Sequence, residues 1–220
     1  MNRPQVTLKL ATSLDGRIAT AAGESRWITG EAARAEVQQL RAAHDAVLIG
    51  AETARRDNPS LLARTSPPPA KQPARVVLTT RLDLPPDLKM FAELDEAPVL
   101  IFAGERTSPA RHAILAAMGA QIEGVALKDG ALDVNAALER LAALGYARVF
   151  VEGGGKVAAA LIAANAVDRL EWFRAPMTLG GAGKPAIADL SYGALAEAPK
   201  WRRVALRELG PDLWESYERA

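Results

Sequence analysis

The sequence predicts an α/β fold: three layers, with a mixed, mostly parallel central sheet, helices on both faces and antiparallel strands at the C-terminal end. Three observations carry this. Short apolar runs, DAVLIG (45–50), ARVVLTT (74–80) and APVLIFAG (97–104), recur along the chain, as expected of parallel strands covered on both sides. Segments with helical apolar spacing lie between such runs, the rhythm of an α/β domain. The tail differs: VDRLEWFRAP, WRRVALRELG and PDLWESYERA carry few helix stops and read as strands that finish the sheet.

QVTLKLAT (5–12) is the first expected strand. A helix follows from near Thr29, a good N-cap, with Glu31 in the first turn and Ala33, Val37, Leu40 and His44 on one face. DAVLIG comes next, then the charged stretch GAETARRDNPSLLAR (50–64), read as a loop at a strand end. TSPPPAKQPA (65–74) has four prolines and favours an extended connector, read as a surface loop within one domain spanning 1–220. After ARVVLTT and APVLIFAG, a helix is expected over roughly 108–118, leading to AQIEGVAL. DVNAALERLAALG has Asp133 as N-cap, Leu138, Leu141 and Leu144 on one face and Gly145 as a stop. ARVFVEGGG then reads as strand and turn, and KVAAALIAAN as helix.

Composition bounds the function. Of 220 residues, 27 are basic and 26 acidic, a net charge of +1 that makes no case for nucleic acid or an anionic membrane. No apolar run approaches the ~18 residues a spanning helix needs, and MNRPQVTLKL lacks the apolar core of a signal peptide. Without cysteine there is no disulfide, thiolate catalysis or cysteine-bound zinc. His44 and His112 are far apart in sequence, which argues against a histidine metal site. The expectation is a cytoplasmic, metal-free protein.

Ligands of open α/β sheets bind beyond the carboxyl ends of strands, and three such places carry polar chemistry. One is ATSLDGRIATAAGESRWITG (11–30), after the strand holding Lys9; another is the stretch 50–64. The third is VEGGGK (151–156), where adjacent glycines let backbone N–H groups approach an anion at a helix N-terminus. Tight-turn chemistry alone would explain those glycines equally well. TLGGAGKP fails as a phosphate loop, because Thr178 stands where glycine is needed and Pro185 where Ser or Thr is. Glu152, ending an apolar strand, is costly to bury without a partner or a task. A salt-bridged sheet end and a reaction site both meet that need, and Lys9 shares the ambiguity.

Taken in order, KLATSLDGRIATAAGESRWITG, LRAAHDAVLIGAETARRDNPSLLAR, FVEGGGKVAAALI and APMTLGGAGKPAI resemble the riboflavin-biosynthesis reductase family. That family is the C-terminal half of the RibD bifunctional deaminase–reductase and has a dihydrofolate-reductase-like fold. The resemblance runs from Val6 to about Leu190. It implies reduction of a ribosylaminopyrimidine 5′-phosphate, of the 5-amino-6-(5-phosphoribosylamino)uracil type, to the ribitylamino form with NADPH. It further implies a homodimer, for which the aromatics Trp172, Phe173, Trp201 and Trp214 of the tail offer an interface; rings that cap the domain's own core would read the same way.

By the same resemblance Lys9 and Glu152 are the catalytic positions, near the sugar carbon that accepts hydride. Ser25, Arg41, Leu61 and Arg64, with Glu152, match substrate contacts; arginine suits a phosphate monoester because its fork gives paired charged hydrogen bonds. Ala11, Trp27, Thr29, Thr53, Asp57 and Thr80 match cofactor contacts, with Arg81 placed to meet a 2′-phosphate. Gly154, Gly155, Lys156, Val157, Ala158, Ala159 and Ala160 match the segment that holds the pyrophosphate. The bifunctional relatives carry a zinc deaminase with H-x-E and P-C-x-x-C; a chain that opens on the reductase strand and lacks cysteine is expected to have no such activity. Two other readings stay open: a paralogous NADPH-dependent reductase of another heterocycle, and a non-catalytic nucleotide-binding module.

Overall fold

The computed structural model describes residues 3–220. In chain order the elements begin with β1 (Gln5–Thr12), β2 (Arg17–Ala19), α1 (Glu31–Ala42), β3 (Ala46–Gly50), α2 (Ala51–Asp57) and β4 (Ala74–Thr79). There follow α3 (Lys89–Ala92), β5 (Val99–Gly104), α4 (Pro109–Ala117), β6 (Gln121–Val125), β7 (Leu127–Lys128), β8 (Ala131–Leu132) and α5 (Val134–Ala143). The last are β9 (Arg148–Gly153), α6 (Gly155–Ala163), β10 (Arg169–Arg174), β11 (Lys184–Pro185), β12 (Trp201–Leu209) and β13 (Asp212–Arg219). No helix of the described residues is long and apolar enough to cross a membrane.

The chain forms two compact units, one of Gln39–Phe150 with the residues up to Gln5, the other of Val6–Gln38 with Val151–Ala220. In the first, β3, β4, β5 and β6 lie side by side in parallel, with Leu48 opposite Val76 and Val76 opposite Leu100. Every residue of β3, β4 and β5 is buried. That is why these strands read as unbroken apolar runs rather than alternating ones. The exception is Arg75, with no exposed surface; its Nη2 donates to the carbonyls of Glu93 (2.7 Å) and Ala97 (2.5 Å). Burial pushes this guanidinium below its ordinary pKa, against the opposing charges of Glu93, Asp95 and Glu96. Asp133 caps α5 as expected, accepting from the N–H groups of Asn135 and Ala136, and Leu138 and Leu141 are buried beneath it. The proline-rich segment is a surface loop, as read from its composition.

Several short pieces escaped the sequence reading, the strands β2 and β11 among them. α2 starts immediately at the end of β3, with Gly50 at its cap and no side-chain cap bond, so neither a gap nor a capping residue announces it. α3 is a single turn, and β7 and β8 are joined across Asp129 and Gly130, both at positive φ.

In the second unit β1 runs parallel to β10, while β10, β13 and β12 follow antiparallel. The tail is therefore the strand-rich finish that its sequence announced. Phe173 stacks on Trp214 at 5.2 Å, and Trp172 Nε1 donates to Thr12 Oγ1 at 2.8 Å, tying β10 to both neighbours. The expected cap of α1 is displaced. The helix begins at Glu31, and Gly30 rather than Thr29 supplies the carbonyl that accepts from Arg34 N (3.2 Å). The Gly30 N–H, one residue before the helix, donates to Asp212 Oδ2 at 2.6 Å, so a buried carboxylate from β13 anchors the chain where α1 begins.

Candidate active site

The second unit holds Lys9, Glu152 and the glycine turn. Lys9 and Ala11 are half-buried and share one side of β1, since alternate strand residues face alike. Glu152, also half-buried, is the penultimate residue of β9, one place earlier than expected, because Gly153 still belongs to the strand. Gly153 and Gly154 then turn the chain at φ of 110° and 90°, backbone that a side chain would strain. Gly155 needs its size for another reason: a Cβ there would stand 2.8 Å from the Pro185 carbonyl oxygen. No side chain caps α6, and helix geometry gives its leading N–H groups no acceptor within the helix. Lys156 is exposed beside them, whereas Ala158 and Ala159 are buried on the inward face.

The opening stretch 11–30 is held by the glycine-rich segment near residue 180. Asp15 is the fastener: Ser13 Oγ donates to Oδ1 (2.5 Å), as does Leu179 N (3.1 Å), and Gly180 N donates to Oδ2 (2.7 Å). The Ser13 bond above all, with those backbone donors, holds this carboxyl near a pKa of about 2. Ala186 N donates to the Gly16 carbonyl, and β11 pairs with β2. Ser25 is half-buried and Thr29 buried. Trp27 stands 66% exposed under the Arg34 guanidinium, 4.5 Å from the ring centroid, so its indole face is partly occupied by a cation.

The first unit holds the phosphate-binding candidates. Arg41 Nη1 donates to the Leu62 carbonyl at 3.0 Å. Gln72 clamps the next residue from both sides, accepting from Ala63 N (2.8 Å) and donating to Ala63 O (3.0 Å). Ser60 Oγ donates to Glu93. Leu61 is buried at φ 64°, so its backbone is what this position offers a ligand. From this pinned loop Arg64 projects with its side chain 69% exposed, 4.0 Å from Glu93 Oε1.

Thr53 and Asp57 lie on α2, half-buried. Thr80 follows β4, which ends one residue earlier, at Thr79. Arg55 reaches Asp83 at 2.8 Å, and Thr79 Oγ1 donates to Asp83 at 2.9 Å, so α2 and the end of β4 are tied through one carboxylate. Burial raises the Asp83 carboxyl, but the Thr79 bond and the Arg55 charge outweigh it and leave the group below its ordinary range.

The sequence reading missed the holders: Asp15, Gln72, Asp83, Glu93 and the buried Glu171 of β10. Asp15–Gly16 is a turn signal in its own right. The other four carry no local mark, since each also bonds a residue outside its own turn or strand: Ala63 for Gln72, Arg55 for Asp83, Ser60 for Glu93 and Ser216 for Glu171. The second unit offers an ammonium, a carboxylate and a helix N-terminus whose leading N–H groups have no acceptor within the helix; the first offers an exposed guanidinium on a fixed loop.

The family model of the RibD C-terminal domain matches residues 4–214. The riboflavin biosynthesis protein RibD of Bacillus amyloliquefaciens is 36% identical over 211 residues, 96% of this chain and 56% of that protein. The 2,5-diamino-6-ribosylamino-4(3H)-pyrimidinone 5′-phosphate reductase of Methanothermobacter thermautotrophicus is 33% identical over 217 residues, 98% of each chain. The solved structure of Acinetobacter baumannii RibD superposes with a TM-score of 0.86 at 26% identity, covering all of this chain and 59% of that one. The chain thus spans little more than half the length of the RibD proteins it matches and nearly all of the Methanothermobacter reductase. It belongs to the RibD C-terminal domain family.

Proposed function

We propose that this chain is an NADPH-dependent oxidoreductase of riboflavin biosynthesis. It reduces a phosphoribosylaminopyrimidine, of the 5-amino-6-(5-phosphoribosylamino)uracil type, to the ribitylamino form, and residues 1–220 work as one reductase domain. The observation that carries this reading is the start of α6. Two glycines at positive φ precede it, no side chain caps it, and Glu152 stands immediately before the turn. Backbone donors at a helix N-terminus fit a pyrophosphate, and an acid beside them fits proton chemistry at a neighbouring carbon. The near full-length match to a reductase of a ribosylamino-pyrimidinone phosphate supports the substrate class.

In this account Gly154, Gly155, Lys156, Val157 and Ala160 hold the pyrophosphate, with Ala158 and Ala159 seating the helix. Ala11, Trp27 and Thr29 flank the nicotinamide, and Thr53, Asp57 and Thr80 contact the rest of the cofactor. The nicotinamide, when bound, supplies the hydride. Arg64 binds the substrate phosphate from its pinned loop; Arg41 keeps that loop in place and adds charge to it. Ser25 and the backbone at Leu61 orient the substrate. Lys9 and Glu152 hold the proton needed at the substrate's nitrogen or ring-opened oxygen. The working form is a cytoplasmic homodimer joined through the C-terminal strands, where Leu206 is 50% exposed on β12.

The test is incubation with NADPH and the phosphorylated pyrimidine, followed by mass spectrometry of the product. A gain of two hydrogens, with no reaction of the dephosphorylated compound, supports the proposal. Cofactor binding without turnover would replace it with a nucleotide-binding module.

A further inference from the structure

Glu171 is a buried charge to which the proposed chemistry gives no task. It lies within β10, 1% exposed, and three donors converge on its carboxylate. Arg169 Nε reaches Oε1 at 2.5 Å, while Trp214 Nε1 at 2.6 Å and Ser216 Oγ at 2.5 Å reach Oε2. A carboxylate offers about four lone-pair sites, so a further donor can be accepted. In the parallel register of β1 and β10, the residue opposite Glu171 is Lys9, and strand alternation puts both on the same side of the sheet.

The balance of charge on that side matters. Trp214 and Ser216 are neutral donors: they aim the carboxylate without cancelling its charge. Arg169, the cation bonded to it, is 37% exposed and is shared with Glu218 at 3.5 Å. Arg207, opposite Trp214 on β12, goes instead to Glu36 of α1 at 2.7 Å. A buried carboxylate is costly unless cations and donors compensate it, and Lys9 is the cationic residue registered beside it.

We propose that Glu171 is a positioning residue for Lys9: its aimed carboxylate holds the Lys9 ammonium protonated and in one orientation. This rests on the reading of Lys9 as a reaction-site residue. A tie between β10 and β13 alone would not require a negative charge, and that difference makes the idea testable.

The experiment is a double-mutant cycle of Lys9→Met and Glu171→Gln, with NADPH affinity from fluorescence titration and thermal melting as controls for folding. We expect Glu171→Gln to lower kcat at least tenfold, with NADPH affinity within about twofold of the parent, and to cause no further loss once Lys9 is Met. In the cofactor-free protein, the lysine ammonium resonance that Lys9→Met deletes from a ¹H–¹⁵N correlation spectrum should also disappear or broaden in Glu171→Gln. If Glu171→Gln does not fold, Ser216→Ala decides, with a several-fold kcat loss that vanishes in the Lys9→Met background. Equal losses with and without Lys9, or an unchanged resonance, would overturn the positioning role while leaving Lys9 in place. Wild-type turnover by Lys9→Met would remove Lys9 from the reaction, and the proposal with it.

Discussion

Arg64 and Arg41 differ in surroundings, and the difference predicts separable effects of Arg64→Ala and Arg41→Ala. The Arg64 side chain is 69% exposed, with Glu93 Oε1 4.0 Å from its guanidinium. An ion pair so exposed contributes little, so Arg64→Ala should cost below about 0.5 kcal/mol of stability. If the guanidinium holds the substrate phosphate, the same change should remove about 1.5–3 kcal/mol of binding, the range for charged hydrogen bonds, raising KM roughly ten- to a hundredfold. Arg41 instead donates to the Leu62 carbonyl. Arg41→Ala should therefore cost about 1–2 kcal/mol of stability as well as substrate affinity. Because both substitutions act on one loop, the double variant should lose less binding than the sum. Thermal melting and steady-state kinetics on the three variants check this, with NADPH affinity expected to stay constant. An unchanged KM for Arg64→Ala, or a lost cofactor affinity, would refute the phosphate assignment.

Glu152→Gln should lower kcat by roughly a hundredfold or more, the scale of a lost acid–base group, with little change in NADPH affinity; a raised KM at unchanged kcat would make it a substrate contact only. NADPH should bind at least about tenfold more tightly than NADH, about 1.4 kcal/mol, through Arg81 beside Thr80; equal affinities by calorimetry would remove that role. The Asp15 carboxyl has its pKa lowered from 3.8 to about 2 in the folded chain. Its contribution to stability is therefore complete above pH ~4 and lost as pH falls towards 2. Asp15→Ala should weaken the protein at neutral pH and flatten the acid limb of its melting profile, whereas an unaltered limb would show that the clamp on Leu179 and Gly180 adds nothing. Light scattering should give a mass near twice 23.4 kDa, and a monomer at micromolar concentration would rule out the dimer.

The parallel strands were legible because burial on both faces leaves an unambiguous apolar run, as in AVLIG and VLIFAG. The C-terminal strands were legible because nothing in them stops or caps a helix. The glycine turn before α6 announced itself for the opposite reason: positive φ at 153 and 154 admits little else. What was hidden depends on tertiary partners. Asp212 anchors the Gly30 N–H at the start of α1 from 182 residues away. Gln72 and Glu93 fix the Arg64 loop from other segments, and local propensity says nothing of either. The loop around Leu61 illustrates the limit. The residue was picked out by resemblance, but only the structure shows that its side chain is packed inside and its backbone bent through a left-handed conformation.

The central claim is reduction at the ribosyl carbon by hydride from the nicotinamide. A single turnover with NADPH deuterated on the transferred position, and the phosphoribosylaminopyrimidine as acceptor, tests it most directly. One deuterium is expected at the first carbon of the ribityl chain for each cofactor oxidised. Oxidation of the cofactor with no deuterium at that carbon, or no oxidation at all by a protein that binds both ligands, would contradict it.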